Sequence, residues 1–218
     1  FYLLAWFGPC VFGILGAVLF FLLFPNAFDI HAGLLAEKLG LEGMAQLEAS
    51  GLTPVSYLII SSVSAITYAP LINMFAAVGE ETGWRGALYP ALKEKYGIVK
   101  GRILGGIIWG IWHWPLMILI GYEYGKQYIG APLLGLFVFC LFTVVVGVLL
   151  DHVYEKTECI WCPSIMHGAI NAFNIPLFFL KADCTSLEIF GPSYVGLVAM
   201  IPMLITACII IRKDIPVQ

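Results

Sequence analysis

The segment Gly79-Glu80-Glu81-Thr82-Gly83-Trp84-Arg85-Gly86 places two carboxylates and a guanidinium at the end of the apolar run 54–79. A charged side chain at the centre of a helix in lipid costs about 2.5–3.5 kcal/mol on insertion scales. Two adjacent carboxylates therefore need partners that stabilise their charge, and they usually have a function. Glu81 and Arg85 are four residues apart with the acid first, which is the favourable order for a helical ion pair. We therefore predict that Arg85 neutralises Glu81 and leaves Glu80 free for chemistry.

The composition is that of an integral membrane protein. The chain has 218 residues, of which 61% are hydrophobic and 11% are charged, against about 45–50% and 25% in an average soluble domain. The sequence predicts one all-α domain over residues 1–218, a polytopic transmembrane bundle. Six apolar runs are long enough to span a bilayer, at roughly 1–24, 54–79, 98–120, 132–150, 160–180 and 193–211.

Two further features concern the ends and the surface of this bundle. Residue 1 is Phe rather than Met, so the natural chain is expected to begin earlier. The segment from His31 to Ser50 alternates leucines with acidic and basic residues as a short amphipathic helix does, either lying on the membrane surface or acting as a solvated connector.

The formal net charge of −3 argues against a nucleic-acid partner, which would favour a basic surface.

The lysines and arginines predict the orientation in the membrane. With six crossings, eight of these 11 residues fall on one side and three on the other, and the richer side is normally cytoplasmic. Both ends of the chain are then cytoplasmic. The eight are Arg85, Lys93, Lys95, Lys100, Arg102, Lys156, Arg212 and Lys213, and the three are Lys38, Lys126 and Lys181.

Two later runs each carry a histidine at helical spacing from another side chain. Trp109 and His113 are one turn apart in the third run, so the indole can orient the imidazole. His167, Asn171 and Asn174 are spaced by four and three residues in the fifth run, which puts them on one helix face. A single buried polar residue of this kind usually forms a hydrogen bond between helices, which contributes about 0.6 kcal/mol. Three in register beside a free glutamate favour a functional site.

The three pieces Glu-Glu-x-x-x-Arg, Trp-x-x-x-His and His-x-x-x-Asn resemble, in order and spacing, the motifs of the CAAX-protease and bacteriocin-processing family of membrane-embedded peptidases, also called the Abi family. The resemblance covers about residues 54–180. One departure is Trp109, where the family usually has phenylalanine.

The resemblance implies a glutamate-type intramembrane peptidase with no cofactor and no metal. Glu80 and His113 would activate a water, and His167 and Asn171 would donate hydrogen bonds to the oxyanion. Glu81, Arg85, Trp109 and Asn174 would support them. The implied substrate is a membrane-associated peptide or protein, which in some family members is prenylated.

Other functions stay open on the sequence alone. A non-enzymatic membrane scaffold or chaperone could use the same fold, since the family also resembles a non-catalytic subunit of γ-secretase. A proton-coupled transporter is a third possibility, but no paired broken helices in two halves support it. Glutamates and histidines on three runs could also bind zinc, although the His-Glu-x-x-His motif is absent.

Short loops and the lack of a soluble domain favour a compact bacterial protein of the plasma membrane.

We predict the membrane orientation from the distribution of basic residues. In a background that lacks the six native cysteines, Lys95→Cys should react with an impermeant thiol reagent only from the cytoplasmic side. Lys126→Cys should react only from the opposite side. Labelling of intact cells and of inverted vesicles measures both, and external labelling at position 95 would reverse the assignment.

Overall fold

The computed structural model describes residues 1–215, and within this range the chain folds into nine α-helices. Short 3₁₀ turns at Pro25–Ala27, Ile175–Phe179 and Ala182–Leu187 and a π-helical turn at Trp84–Leu88 complete the helical structure. The predicted all-α bundle is confirmed. The α-helices are α1 (Tyr2–Leu23), α2 (Gly33–Ala49), α3 (Pro54–Ile66), α4 (Ala69–Gly83), α5 (Tyr89–Tyr96), α6 (Ile98–Ile120), α7 (Leu133–Thr157), α8 (Trp161–Ala172) and α9 (Ile201–Asp214).

Fewer than six of these helices are long enough to cross a bilayer alone. Within residues 1–215, α1, α6 and α7 are long and apolar enough, with 22, 23 and 25 residues. A fourth span results if α2 and α3, which meet at an angle of 86°, are counted together. The other predicted runs form shorter helices: the fifth ends as a helix at Ala172, and the sixth becomes helical only at Ile201.

Prolines explain two of these interruptions. Pro70 cannot donate a hydrogen bond to the carbonyl of Ile66 four residues earlier, and the run 54–79 is accordingly divided between α3 and α4. The indole of Trp6 donates to the freed Ile66 carbonyl at 3.0 Å, so the break is satisfied inside the bundle. Pro176 likewise cannot bond back to Ala172, where α8 ends.

The predicted amphipathic segment is helical. It forms α2, which bends at Gly40, where φ is 64°. It meets α3 at an angle of 86°, as the two halves of a broken span or a re-entrant segment would.

The connections are grouped at two ends of the bundle, as alternating crossings require. We call the end that contains loops 26–53, 121–131 and 181–192 the loop end. There Phe28 forms a β-bridge with Leu180, the Ile129 N–H donates to the Ser186 carbonyl at 3.2 Å, and Lys38 lies 3.7 Å from Glu188.

The opposite end, which we call the basic end, is held by a network of charged side chains. Arg102 is fully buried and donates to Asp151 at 2.6 Å, to Glu155 at 2.5 Å and to Asp214. Lys93 lies 2.9 Å from Asp151. The network therefore joins α5, α6, α7 and α9, and it places the end of α9 beside the start of α6.

Helices α4 and α8, which carry two of the three motifs, pack closely at a glycine. A Cβ atom on Gly168 would lie 2.6 Å from the Met74 nitrogen and 2.6 Å from the Pro70 oxygen. Both of these atoms belong to the backbone of α4, so they could move only if the helix moved. The absence of a side chain at position 168 thus sets the distance between the two helices.

We predict that Gly168→Ala destabilises the protein by about 1–3 kcal/mol, because the added methyl group overpacks a helix contact. Thermal unfolding in detergent measures the effect. Gly8→Ala is the matched control, since a Cβ there meets nothing within 4 Å and alanine is the better helix former. Equal unfolding temperatures for the two variants would contradict the packing argument.

Candidate active site

Glu81 is the centre of a fully buried charge network. Glu81 and Arg85 both have no exposed side-chain surface, and the Arg85 Nη1 atom donates to Glu81 Oε1 at 3.0 Å. The same oxygen lies 2.7 Å from Nδ1 of His167. The predicted ion pair is therefore present, and it connects α4 to the histidine of α8.

Arg85 is held between two aromatic rings. Its guanidinium carbon lies 4.6 Å from the ring centroid of Tyr89 and 4.8 Å from that of Trp109. Such cation–π contacts are worth about 2 kcal/mol or more when they are desolvated. The arginine of the first motif is thereby fixed against the tryptophan of the second.

A π-helical turn over Trp84–Leu88 carries Arg85. Pro90 lacks an N–H to donate to the carbonyl of Gly86, so a regular α-helical ladder cannot continue through this segment. The N–H of Tyr89 bonds instead to the carbonyl of Trp84, five residues earlier. π-Helical turns are frequent at functional sites, and Pro90 was the sequence signal for this one.

Glu80 contacts the indoles of two tryptophans and does not line the cavity of the two histidines. Its Oε2 atom accepts hydrogen bonds from the indole nitrogens of Trp84 at 3.3 Å and of Trp109 at 3.1 Å. Glu80 is half-buried and lines an open depression with Trp112 and Leu88. Two donors on one oxygen orient the carboxylate and leave Oε1 available.

His113 is enclosed by aromatic rings. Its ring centroid is 4.8 Å from that of Trp112, 4.9 Å from Phe139 and 5.9 Å from Tyr122. Nδ1 lies 3.0 Å from the backbone oxygen of Trp109. A carbonyl only accepts, so Nδ1 carries the proton and neutral His113 keeps a lone pair on Nε2.

One cavity of about 120 Å³ brings most of the predicted residues together. It lies between α6, α7 and α8 and extends towards the loop end, where residues 122–123 and 193–195 complete its wall. Glu80 is not among its lining residues. The predicted residues that line it are Trp109, His113, His167, Asn171 and Asn174.

Sequence reasoning missed several residues in this wall. Glu123 and Tyr122 come from the loop between α6 and α7, and Tyr194 comes from the segment before α9. No helical spacing relates them to the three motifs. A carboxylate flanked by two tyrosines and two glycines, Gly121-Tyr122-Glu123-Tyr124-Gly125, was the only available signal.

One oxygen of each of the two motif carboxylates and Nδ1 of each motif histidine have partners within the protein. Within residues 1–215, no group of three His, Cys, Asp or Glu side chains is arranged to hold a metal ion. Oε1 of Glu81 serves Arg85 and His167, whereas Oε2 of Glu80 serves two indoles. The site offers two imidazoles and the amides of Asn171 and Asn174 to its cavity.

The all-α bundle, with helices long and apolar enough to span a membrane, is that of an integral membrane protein. Residues 61–173 match the family of type II CAAX prenyl endopeptidases, Rce1-like. The chain belongs to that family, as the three motifs predicted. The matched residues lie within the predicted core 54–180 and contain all three motifs.

One curated relative is the CAAX prenyl protease 2 of Methanococcus maripaludis, which is 30% identical to the chain over 116 residues. The similar segment covers 53% of this chain and 42% of the relative. No solved structure matches the chain.

We predict that Arg85→Ala destabilises the protein by about 3–5 kcal/mol, because it leaves the buried Glu81 carboxylate without its cation. Thermal unfolding of the purified variant in detergent is the measurement. Arg212→Ala, at an exposed position near the end of α9, is the control and should behave as the unsubstituted protein does. An Arg85→Ala variant with unchanged stability but no activity would move Arg85 from a structural role to substrate binding.

Proposed function

We propose that the chain is a membrane-embedded endopeptidase that hydrolyses a peptide bond of a membrane-associated protein or peptide, including a prenylated one. The family and the name of the relative support this class of reaction. The observation that carries it is the cavity shared by His113, His167 and Asn171, because its wall combines candidate bases with hydrogen-bond donors. The proposed orientation of the protein in the membrane is the one predicted from its lysines and arginines.

In the proposed reaction, Glu80 and His113 activate a water molecule. The Nε2 lone pair of His113 accepts one hydrogen bond from the water, and Glu80 accepts its proton through Oε1. The hydroxide oxygen then attacks the carbonyl carbon of the scissile bond, and the proton passes to the departing amine. Glu80 must reach this water past the edge of Trp109, whose indole N–H holds its other oxygen at 3.1 Å.

Asn171 and His167 are proposed to stabilise the oxyanion of the tetrahedral intermediate. The Asn171 amide has two N–H donors and needs no change of charge to use them. His167 faces a stricter requirement, because its Nδ1 proton points at Glu81. Its Nε2 can donate only when the ring is an imidazolium.

His167 is a second candidate for the general base. The Glu81–His167 contact at 2.7 Å has the form of the carboxylate–histidine pair that orients the base of a hydrolytic triad. His167 lines the cavity, whereas Glu80 does not. In this assignment neutral His167 takes the water proton, and Glu80 only positions Trp109.

We predict that Glu80→Gln abolishes turnover while the fold stays intact. A glutamine oxygen still accepts from the indoles of Trp84 and Trp109, so the substitution removes the base and keeps its position. His113→Ala should also abolish turnover, and Asn171→Ala should slow it by roughly 10²–10³, the usual cost of one oxyanion donor. Release of a fluorescent peptide from prenylated and unprenylated substrates by purified protein is the measurement.

The outcomes of that assay separate the assignments. Thermal unfolding of each variant provides the control for folding. An active Glu80→Gln variant together with an inactive His167→Ala variant would transfer the base to the Glu81–His167 pair. If the unsubstituted protein cleaves no membrane-associated peptide, the proposed function is wrong.

Metal independence is a separate prediction. We expect turnover to persist after incubation with a chelator, because Oε1 of Glu81 already binds Arg85 and Oε2 of Glu80 already accepts from two indoles. Metal analysis of the purified protein accompanies the assay. Loss of all activity with chelator and its recovery with added zinc would overturn the roles proposed for Glu80 and His113.

A further inference from the structure

The loop between α6 and α7 adopts an unusual backbone at three alternate residues. Gly121, Glu123 and Gly125 have φ angles of 72°, 70° and 68°. This left-handed region suits glycine and costs about 1–2 kcal/mol for a residue with a side chain. The chain uses glycine at two of these positions and glutamate at the third. Glu123 therefore occupies a backbone conformation that costs free energy for a residue with a side chain.

The tyrosines on either side of Glu123 fix its position. Tyr122 stacks on His113 with an angle of 15° between the rings and 5.9 Å between their centroids. Tyr124 is buried, and its hydroxyl donates to the Val195 carbonyl at 2.7 Å. Glu123 itself is half-buried and lines the same cavity as His113.

Within residues 1–215 Glu123 forms no ion pair, whereas three buried acidic residues do. Glu81 pairs with Arg85, and Asp151 pairs with Arg102 and Lys93. Glu188 pairs with Lys38. The ion pairs of the described residues 1–215 do not include Glu123.

The surroundings make this carboxylate receptive to a positive charge. Burial raises the pKa of the Glu123 carboxyl group, and its contact with Tyr122 acts in the opposite direction. A cation brought beside a buried carboxylate gains more than it would in water. The faces of aromatic rings attract cations as well, and several line the cavity, among them Tyr122, Phe139, Phe142 and Tyr194.

We propose that Glu123 and the aromatic rings around it form a subsite for a cationic side chain, lysine or arginine, of the peptide substrate. The inference rests on the proposed peptidase function. The cavity volume of about 120 Å³ suits a long side chain, since a single water needs only about 10–15 Å³ by the same measure. Tyr122 contacts both His113 and Glu123, so a cation held there lies close to the proposed reaction centre.

The first experiment compares matched peptide pairs that carry lysine or the uncharged norleucine at each position near the cleaved bond. The unsubstituted protein should prefer lysine at one position by about tenfold or more in kcat/KM. Glu123→Gln should remove this preference, because kcat/KM for the lysine peptide should fall to about that for the norleucine peptide. Glu158→Gln is the matched control, because Glu158 is an exposed acid that also has a left-handed φ, of 49°, at the other end of α7.

Glu123→Gly separates a role in recognition from a role in folding. It removes the carboxylate and also the cost of a side chain in the left-handed region. The variant should unfold at the same or a higher temperature and still lose the preference for lysine. A large drop in unfolding temperature would show instead that Glu123 is held for structure.

A second experiment does not depend on proteolysis. Protein in detergent is titrated with n-butylammonium, which matches a lysine side chain, and with uncharged n-butanol, and saturation-transfer NMR reports binding. The ammonium should bind more strongly than the alcohol, and only Glu123→Gln should abolish the difference. If no peptide is cleaved but this difference is seen, the peptidase proposal fails and the cation subsite stands. Equal n-butylammonium binding to Glu123→Gln and to the unsubstituted protein would overturn the subsite, whether or not peptides are cleaved.

Discussion

The buried contact between Glu81 and Arg85 is the constraint on which the rest of the site depends. Removing two charges from water costs several kcal/mol for each ion, and their attraction repays this only with good geometry and additional partners. Those partners come from the other motifs: His167 on α8 meets Glu81 at 2.7 Å, and Trp109 on α6 covers Arg85. The three motifs, which are far apart in sequence, are thereby joined by one charge requirement.

Close backbone contacts make this arrangement possible. Gly168 allows α8 to approach α4, and Tyr89, which packs on Arg85, fits against Gly105 of α6 and Gly147 of α7. A Cβ at either glycine would lie within 2.5 Å of the Tyr89 side chain. Small residues at such contacts are the usual means by which helices pack closely in membranes. The site is therefore supported by what these positions lack as well as by its polar side chains.

The sequence predicted the parts that follow local rules. Apolar composition indicated an all-α bundle, and a spacing of four indicated the Glu81–Arg85 pair. It failed where the outcome depends on tertiary contacts. Apolar runs do not reveal that Pro70 breaks a span whose free carbonyl Trp6 then satisfies. The π-helical turn likewise depends on the packing of separate helices. The same is true of the cavity wall, which includes Glu123 and the histidines but not Glu80.

At the basic end, some of the lysines and arginines that predict the membrane orientation also form ion pairs. Arg102 and Lys93 count towards the eight residues on the richer side, yet both belong to the network around Asp151. Acidic residues contribute little to orientation, because the rule concerns lysine and arginine near the ends of spans rather than net charge. The ion pairs of the folded state therefore do not weaken the inference.

Trp109 has consequences for access to the site that phenylalanine, the usual residue in the family, would not have. Its indole ring lines the cavity that His113 and His167 also line, and its N–H donates to the Glu80 carboxylate. A phenylalanine could fill much of the same space but could not donate that bond. In the proposed reaction, substrate and water reach the histidines through the part of the cavity that residues 122–123 and 193–195 line. Glu80 lines a different depression near Trp112, so in this reaction it acts beside the indole that holds its carboxylate.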